Sequence, residues 1–110
     1  MKKQYFINAN IIDPHNSLNE TGGLIIGEDG KIEAIGKKVN TNNLPSREKP
    51  IDLKGKHIFP GIVDMRVFVG EPGYEYKENF RTLSNAALSG GVTSVVTMPN
   101  TDPVIDNVSI

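Results

Sequence analysis

The stretch His57 to Gly73, HIFPGIVDMRVFVGEPG, decides how the rest of the chain is read. It holds a turn, an apolar strand and an abrupt loop at the strand's C-terminal end. From Ile62 to Val69 every residue is apolar except Asp64 and Arg66. Side chains alternate faces along a strand. One face should therefore carry Val63, Met65, Val67 and Val69, and the other Ile62, Asp64, Arg66 and Phe68, with Gly70 next in line. An apolar face opposite one that carries an acid and a base points to a buried strand of a parallel barrel, its outer face under helices and its inner face feeding a site.

Downstream, Glu75 to Ser89 reads as a helix. Phe80, Leu83, Ala86 and Ala87 make one apolar stripe, and Glu75 and Glu78 fall in the first turn, favourable to the helix dipole. Gly90-Gly91 supplies a left-handed stop. Val92 to Met98 is β-branched and reads as a second buried strand, left through Pro99-Asn100-Thr101-Asp102-Pro103. Strand, helix and strand on short links form a βαβ unit, with parallel strands and a right-handed crossover.

Upstream, Gln4 to Ile12, Leu24 to Gly27, Lys31 to Ile35 and Ile51 to Leu53 read as strands. Asp13 to Ser17 and Glu28-Asp29-Gly30 read as turns, the latter a hairpin signal. Lys37 to Pro50, polar and with two prolines, reads as a loop. Residues 1–56 are thus expected to form a small antiparallel β unit with no catalytic constellation, and residues 57–110 the βαβ unit.

PGIVDMRVFVGEPGYEYKENF followed by GGVTSVVTMPNTDPVID resembles the dihydroorotases of the amidohydrolase superfamily. Their pattern is PG-[LF]-[VI]-D-x-H-x-H-x-R-E-P-G, a helix, then GG-[FV]-T-[ST]-V-V-x-MPNT-x-P. The resemblance implies an α/β fold: the N-terminal part of a metal-dependent-hydrolase-type TIM (β/α)₈ barrel, preceded by β-sandwich strands. Such a barrel needs about 250 residues, so the chain reads as a fragment.

The departures fall on the chemistry. The family's two metal-binding histidines align with Arg66 and Phe68, and its substrate-binding arginine with Gly70. Asp64, Glu71, Pro72, Gly73 and Asn100 are kept. A catalytic zinc needs about three N or O ligands. A guanidinium stays protonated and a phenyl ring has no lone pair to give. The chain's two histidines are no substitutes: His15 lies in a turn, and His57 lies roughly 35 Å of extended chain from Phe68. No metal ligand, no cofactor and no catalytic residue is therefore expected within these residues. Asp64, Arg66, Phe68 and Gly70 are read as structural at the former site. Arg66 and Asp64 are expected to form a buried structural ion pair; a sharper alternative has Arg66 replacing the metal's charge among the acidic groups and Phe68 filling the space of an imidazole. In the family Asn100 helps hold the substrate carboxylate. Without the arginine it reads as a vestige, a turn residue bonding its own backbone.

The function this implies is a dihydroorotase-like protein of pyrimidine biosynthesis that has lost catalysis and acts as a structural or regulatory partner of aspartate transcarbamoylase, itself a possible homo-oligomer. The alternative is an active zinc-dependent cyclic amidohydrolase whose ligands lie beyond Ile110. Action on allantoin or a dihydropyrimidine is disfavoured, because those relatives also use the paired histidines.

Composition excludes other classes. Twelve Lys and Arg against 13 Asp and Glu give a net charge of −1, which offers nothing to nucleic acid or an anionic membrane. There is no cysteine, hence no disulfide or thiolate site. Met1-Lys2-Lys3 precedes no sustained apolar run, and no run approaches the ~18 residues of a membrane span. A cytoplasmic location is expected.

Overall fold

The structure is a computed structural model, and it describes residues 2–45, 47 and 49–110. The loop reading at Ser46 and Glu48, and Met1 of the basic start, lie outside the described residues. The chain forms two units, Met1–Pro60 and Gly61–Ile110.

The first unit is one five-stranded mixed sheet. Strands β1 (Gln4–Asp13), β2 (Leu18–Ile26) and β3 (Ile32–Gly36) run antiparallel in sequence order. Two short strands, β4 (Ile51–Asp52) and β5 (His57–Ile58), both pair parallel to β1. The expectation of a purely antiparallel unit is corrected: the returning chain lies along β1 in the same direction. Tyr5, Ile7, Ala9 and Ile11 alternate into the core with Leu24 and Val39, as period-two patterning requires. The alternation survives a β-bulge between Phe6 and Ala9, where Asn8 takes φ 56°.

Strand β2 starts six residues earlier than the apolar run Leu24–Gly27 suggested. Asn19-Glu20-Thr21-Gly22-Gly23 looks like loop by composition. It becomes strand because β1 offers it a full antiparallel ladder. A Cβ on Gly23 would lie 2.7 Å from the Val39 carbonyl oxygen, so this stretch is glycine-rich where backbones close in. The Asp29-Gly30 hairpin forms as expected, with Gly30 at φ 79° and its N–H donated to the Gly27 carbonyl at 3.0 Å. Within the loop after β3, Thr41–Asn43 makes a 3₁₀ turn capped by the Asn40 side chain.

His57 belongs to this unit, opposite Asn10 on β1, and not to the strand that follows. The break between the two units falls at Pro60–Gly61, because His57–Ile58 is held in the first sheet.

The second unit is a βαβ unit, as expected: β6 (Ile62–Val67), α1 (Phe80–Ser89) and β7 (Val92–Thr97), the two strands parallel. The helix begins five residues later than Glu75. Asn79 is its N-cap: its side chain accepts the Thr82 N–H at 3.0 Å, and the Thr82 hydroxyl accepts the Asn79 N–H at 3.2 Å. This reciprocal box fixes the start, so Glu75 and Glu78 precede the helix rather than occupying its first turn. At the other end Gly90 is the C-cap and Gly91 takes the left-handed conformation, φ 82°.

Two register shifts mark the strand pair. β7 carries an extra residue at Thr93, and β6 carries one between Asp64 and Val67. They compensate, so the ladder ends in the register in which it began. The strands are not buried as expected. Met65 is 73% exposed and Val63, Val95 and Val96 are also exposed, because one helix and two strands supply cover for only part of two faces. An open groove lined by Phe80, Leu83, Ala87, Leu88, Val92 and Val95 runs between α1 and β7.

Candidate functional site

Arg66, Phe68 and Gly70 lie at the C-terminal end of β6, and Asn100 lies just past the C-terminal end of β7. Parallel pairing puts both ends on the same edge, where βα units place their sites. The Val67 carbonyl accepts the Met98 N–H at 2.8 Å, which carries the pairing to the last strand residues.

The extra residue in β6 falls at Met65–Arg66, so the strict alternation expected from Ile62 to Phe68 is interrupted where the site begins. Bulges commonly re-aim a side chain beside a site. Asp64 does not pair with the Arg66 guanidinium. Its Oδ1 accepts the Arg66 backbone N–H at 3.0 Å. Both residues are exposed. Ion pairs form instead in the first unit, Lys3 with Glu33 and Lys31 with Asp29. The expected buried Asp64–Arg66 pair is therefore corrected: a carboxylate two residues back on a bulged strand reaches the amide before it reaches the guanidinium.

Phe68 is 39% exposed. It does not sit in a sealed pocket. Its ring meets Tyr74 at 6.2 Å between centroids, tilted by 47°. Tyr74 in turn carries the Lys77 ammonium over its face at 5.3 Å. Between the two rings the chain turns sharply. Val69 and Gly70 are buried, Gly70 has φ 73°, and its carbonyl accepts the Tyr74 N–H at 2.6 Å.

The acids that follow are also committed to backbone amides. Glu71 Oε2 accepts the Phe80 N–H, the first of α1, at 2.8 Å, satisfying an orphan donor at the helix start. Glu75 Oε1 accepts the Gly73 N–H at 3.0 Å. Hydrogen bonds to its own and the Gly73 backbone N–H hold the Glu75 carboxyl below its ordinary value of 4.5. Glu78 accepts from the Thr82 hydroxyl. These roles of Glu71 and Asn79 were missed from sequence. The signal was there, an Asn with a hydroxyl residue three places on, but two glutamates just upstream drew the helix start away from it.

The loop after β7 docks on this turn. Asp102 donates its N–H to the Pro72 carbonyl at 3.1 Å. A Cβ on Gly73 would lie 2.8 Å from that of Asp102, and Gly73 has φ 98°. Thr101 is buried, and its hydroxyl donates to the Pro103 carbonyl at 2.9 Å. Asn100 is exposed at the rim. The structure thus brings Gly70, Gly73 and the Asn100 loop together through backbone contacts.

The zinc implied by the resemblance does not fit the described residues. Arg66 and Phe68 offer no lone pair. Among the described residues no three His, Cys, Asp or Glu side chains converge on one point. No step is derived through a metal. What the arrangement presents is an exposed guanidinium, an aromatic pair and a backbone-built loop cluster. Among the described residues no helix is long and apolar enough to cross a membrane.

Comparison with known proteins agrees with the motif reading. The family described as dihydro-orotase-like matches residues 55–109. The dihydroorotase of Chlorobaculum tepidum is 44% identical over 102 residues, covering 93% of this chain and 23% of that protein. That of Syntrophus aciditrophicus is 47% identical over 97 residues, 88% of this chain and 22% of the relative. That of the Wolbachia of Brugia malayi is 44% identical over 107 residues, 96% and 24%. The chain spans about a quarter of the length of these relatives. With a family match over half its residues, and with the strand, turn and MPNT loop that carry that match in place, the chain belongs to the dihydro-orotase-like family.

Proposed function

We propose that this chain is the N-terminal part of a dihydroorotase-like protein of pyrimidine biosynthesis, built as the first βαβ unit of a (β/α)₈ barrel, that has lost metal-dependent hydrolysis. Its role is then structural or regulatory, as a cytoplasmic partner of aspartate transcarbamoylase. One observation carries this reading. The two positions at the end of β6 where the resemblance puts metal ligands hold a guanidinium and a phenyl ring, in a frame otherwise similar to the family. The test is to assay the protein, expressed from its complete reading frame, for bound zinc and for interconversion of dihydroorotate and carbamoyl aspartate. Neither is expected. Co-purification with the aspartate transcarbamoylase of the same cell should raise that enzyme's activity or thermal stability. Turnover of dihydroorotate by the unaltered protein overturns the proposal.

A second reading is favoured by the 44–47% identity to proteins named dihydroorotase. In it the protein is an active zinc hydrolase whose ligands lie outside these residues. Near one zinc per chain in the unaltered protein selects this reading. If only the paired histidines are missing, Arg66→His with Phe68→His should restore zinc to a protein that lacked it.

A further inference from the structure

In this chain the position two residues after Phe68 is crowded by its own backbone neighbours. Gly70 is buried with φ 73°. A Cβ there would lie 2.8 Å from the Glu78 carbonyl oxygen, 2.9 Å from that of Tyr74 and 3.4 Å from Phe68 Cε1. The first two neighbours are backbone, which cannot rotate away as a side chain can. The same turn is tied at both ends. The Gly70 carbonyl holds the Tyr74 N–H, the Tyr74 carbonyl accepts from Lys77 at 2.9 Å, and Glu71 caps α1. The rings of Phe68 and Tyr74, one on each side of Gly70 in the chain, lie 6.2 Å apart.

We propose that Gly70, Phe68 and Tyr74 form one interlocked unit that excludes any side chain at position 70, so that this turn has no means of presenting a ligand-binding group there. This rests on the reading of residues 66, 68 and 70 as a remodelled site. It adds that the change at 70 is fixed by backbone geometry and cannot be reversed alone.

Gly30 provides an internal control. It has the same left-handed conformation, φ 79°, with nothing within 4 Å of a built Cβ. A side chain at Gly30 meets only the conformational cost, whereas one at Gly70 also meets two carbonyls. Asparagine tolerates positive φ, so it separates the two effects. The experiment compares Gly70→Asn, Gly70→Ala, Gly30→Asn and Gly30→Ala in the protein expressed from its complete reading frame, reading hydrogen exchange at the Tyr74 and Phe80 amides. Both Gly70 variants should exchange there about tenfold faster or more, and Asn should not rescue Ala. The Gly30 variants should leave these amides unchanged. Recovery of the Gly70 variants only as unfolded protein, while both Gly30 variants fold, also supports the lock. Unaltered Tyr74 exchange in Gly70→Asn overturns it. Zinc and dihydroorotate turnover, measured on the unaltered protein, report on the functional reading separately: the lock can fail while the protein remains inactive, and can hold in an active one.

Discussion

The Glu71 carboxylate accepts the N–H of Phe80, nine positions further along the chain, and the Asn79 side chain accepts that of Thr82. With the Asn79 N–H taken by the Thr82 hydroxyl, three of the four orphan donors at the start of α1 are satisfied by side chains. Removing an N-cap typically costs about 1 kcal/mol. Asn79→Ala should destabilise the protein by about that amount in denaturant unfolding, with Asn79→Asp close to neutral. Glu75 gives a pH-dependent counterpart. Its carboxyl is held below 4.5 in the folded state by the Gly73 and Glu75 amides. A depressed carboxyl contributes stability that is present above its unfolded value and lost as pH falls through the folded value. The Gly73 amide resonance should therefore titrate below pH 4.5, and Glu75→Gln should abolish that titration. An unchanged profile in the variant would mean the bond is not formed.

At the scale of elements, the β6–β7 pair depends on a close approach at its start. Gly61 lies against Thr93, the extra residue of β7, and a Cβ on Gly61 would be 2.7 Å from the Thr93 Cβ, with its hydroxyl and methyl nearer still. Overpacking of this kind costs about 1–3 kcal/mol. Gly61→Ala should destabilise by that order, and Thr93→Ala, which removes the two nearest atoms, should recover part of the loss. Additive effects in the double-mutant cycle would show that the two positions are not coupled. The helix stripe behaves differently from the strands. Leu83 and Ala87 are half-buried, while Phe80 and Leu88 remain exposed along the groove over β7.

For the whole molecule, the first unit has a core of its own, with Tyr5, Ile7, Ala9, Ile11, Leu24 and Val39 buried. In the second unit, Val69 and Thr101 are buried, and Ile62, Val63, Met65, Val95 and Val96 are exposed. A two-stranded parallel pair with one helix leaves both outer edges open, and such pairs are marginal in water. The 110-residue chain expressed alone should bind a hydrophobic dye and self-associate with rising concentration. Hydrogen exchange should be slow at β1 and β2 and fast at β6 and β7. Sedimentation as a monomer with cooperative unfolding near the usual several kcal/mol would contradict this.

Local sequence was enough for the family, the βαβ order of β6, α1 and β7, the Asp29-Gly30 hairpin, and the presence at positions 66 and 68 of side chains that cannot ligate a metal. These follow from local patterns: period-two apolar runs, a helical stripe, turn dipeptides, and side chains with no lone pair to give. Only the tertiary structure showed that residues 57 and 58 join the first sheet parallel to β1, that the polar stretch Asn19–Gly23 is strand, and that Asp64 bonds the Arg66 backbone amide rather than its guanidinium. It also decided that Gly70 has no room for a side chain. Each of these depends on which backbone lies alongside at about 3 Å, and residue order carries that information only through the completed fold.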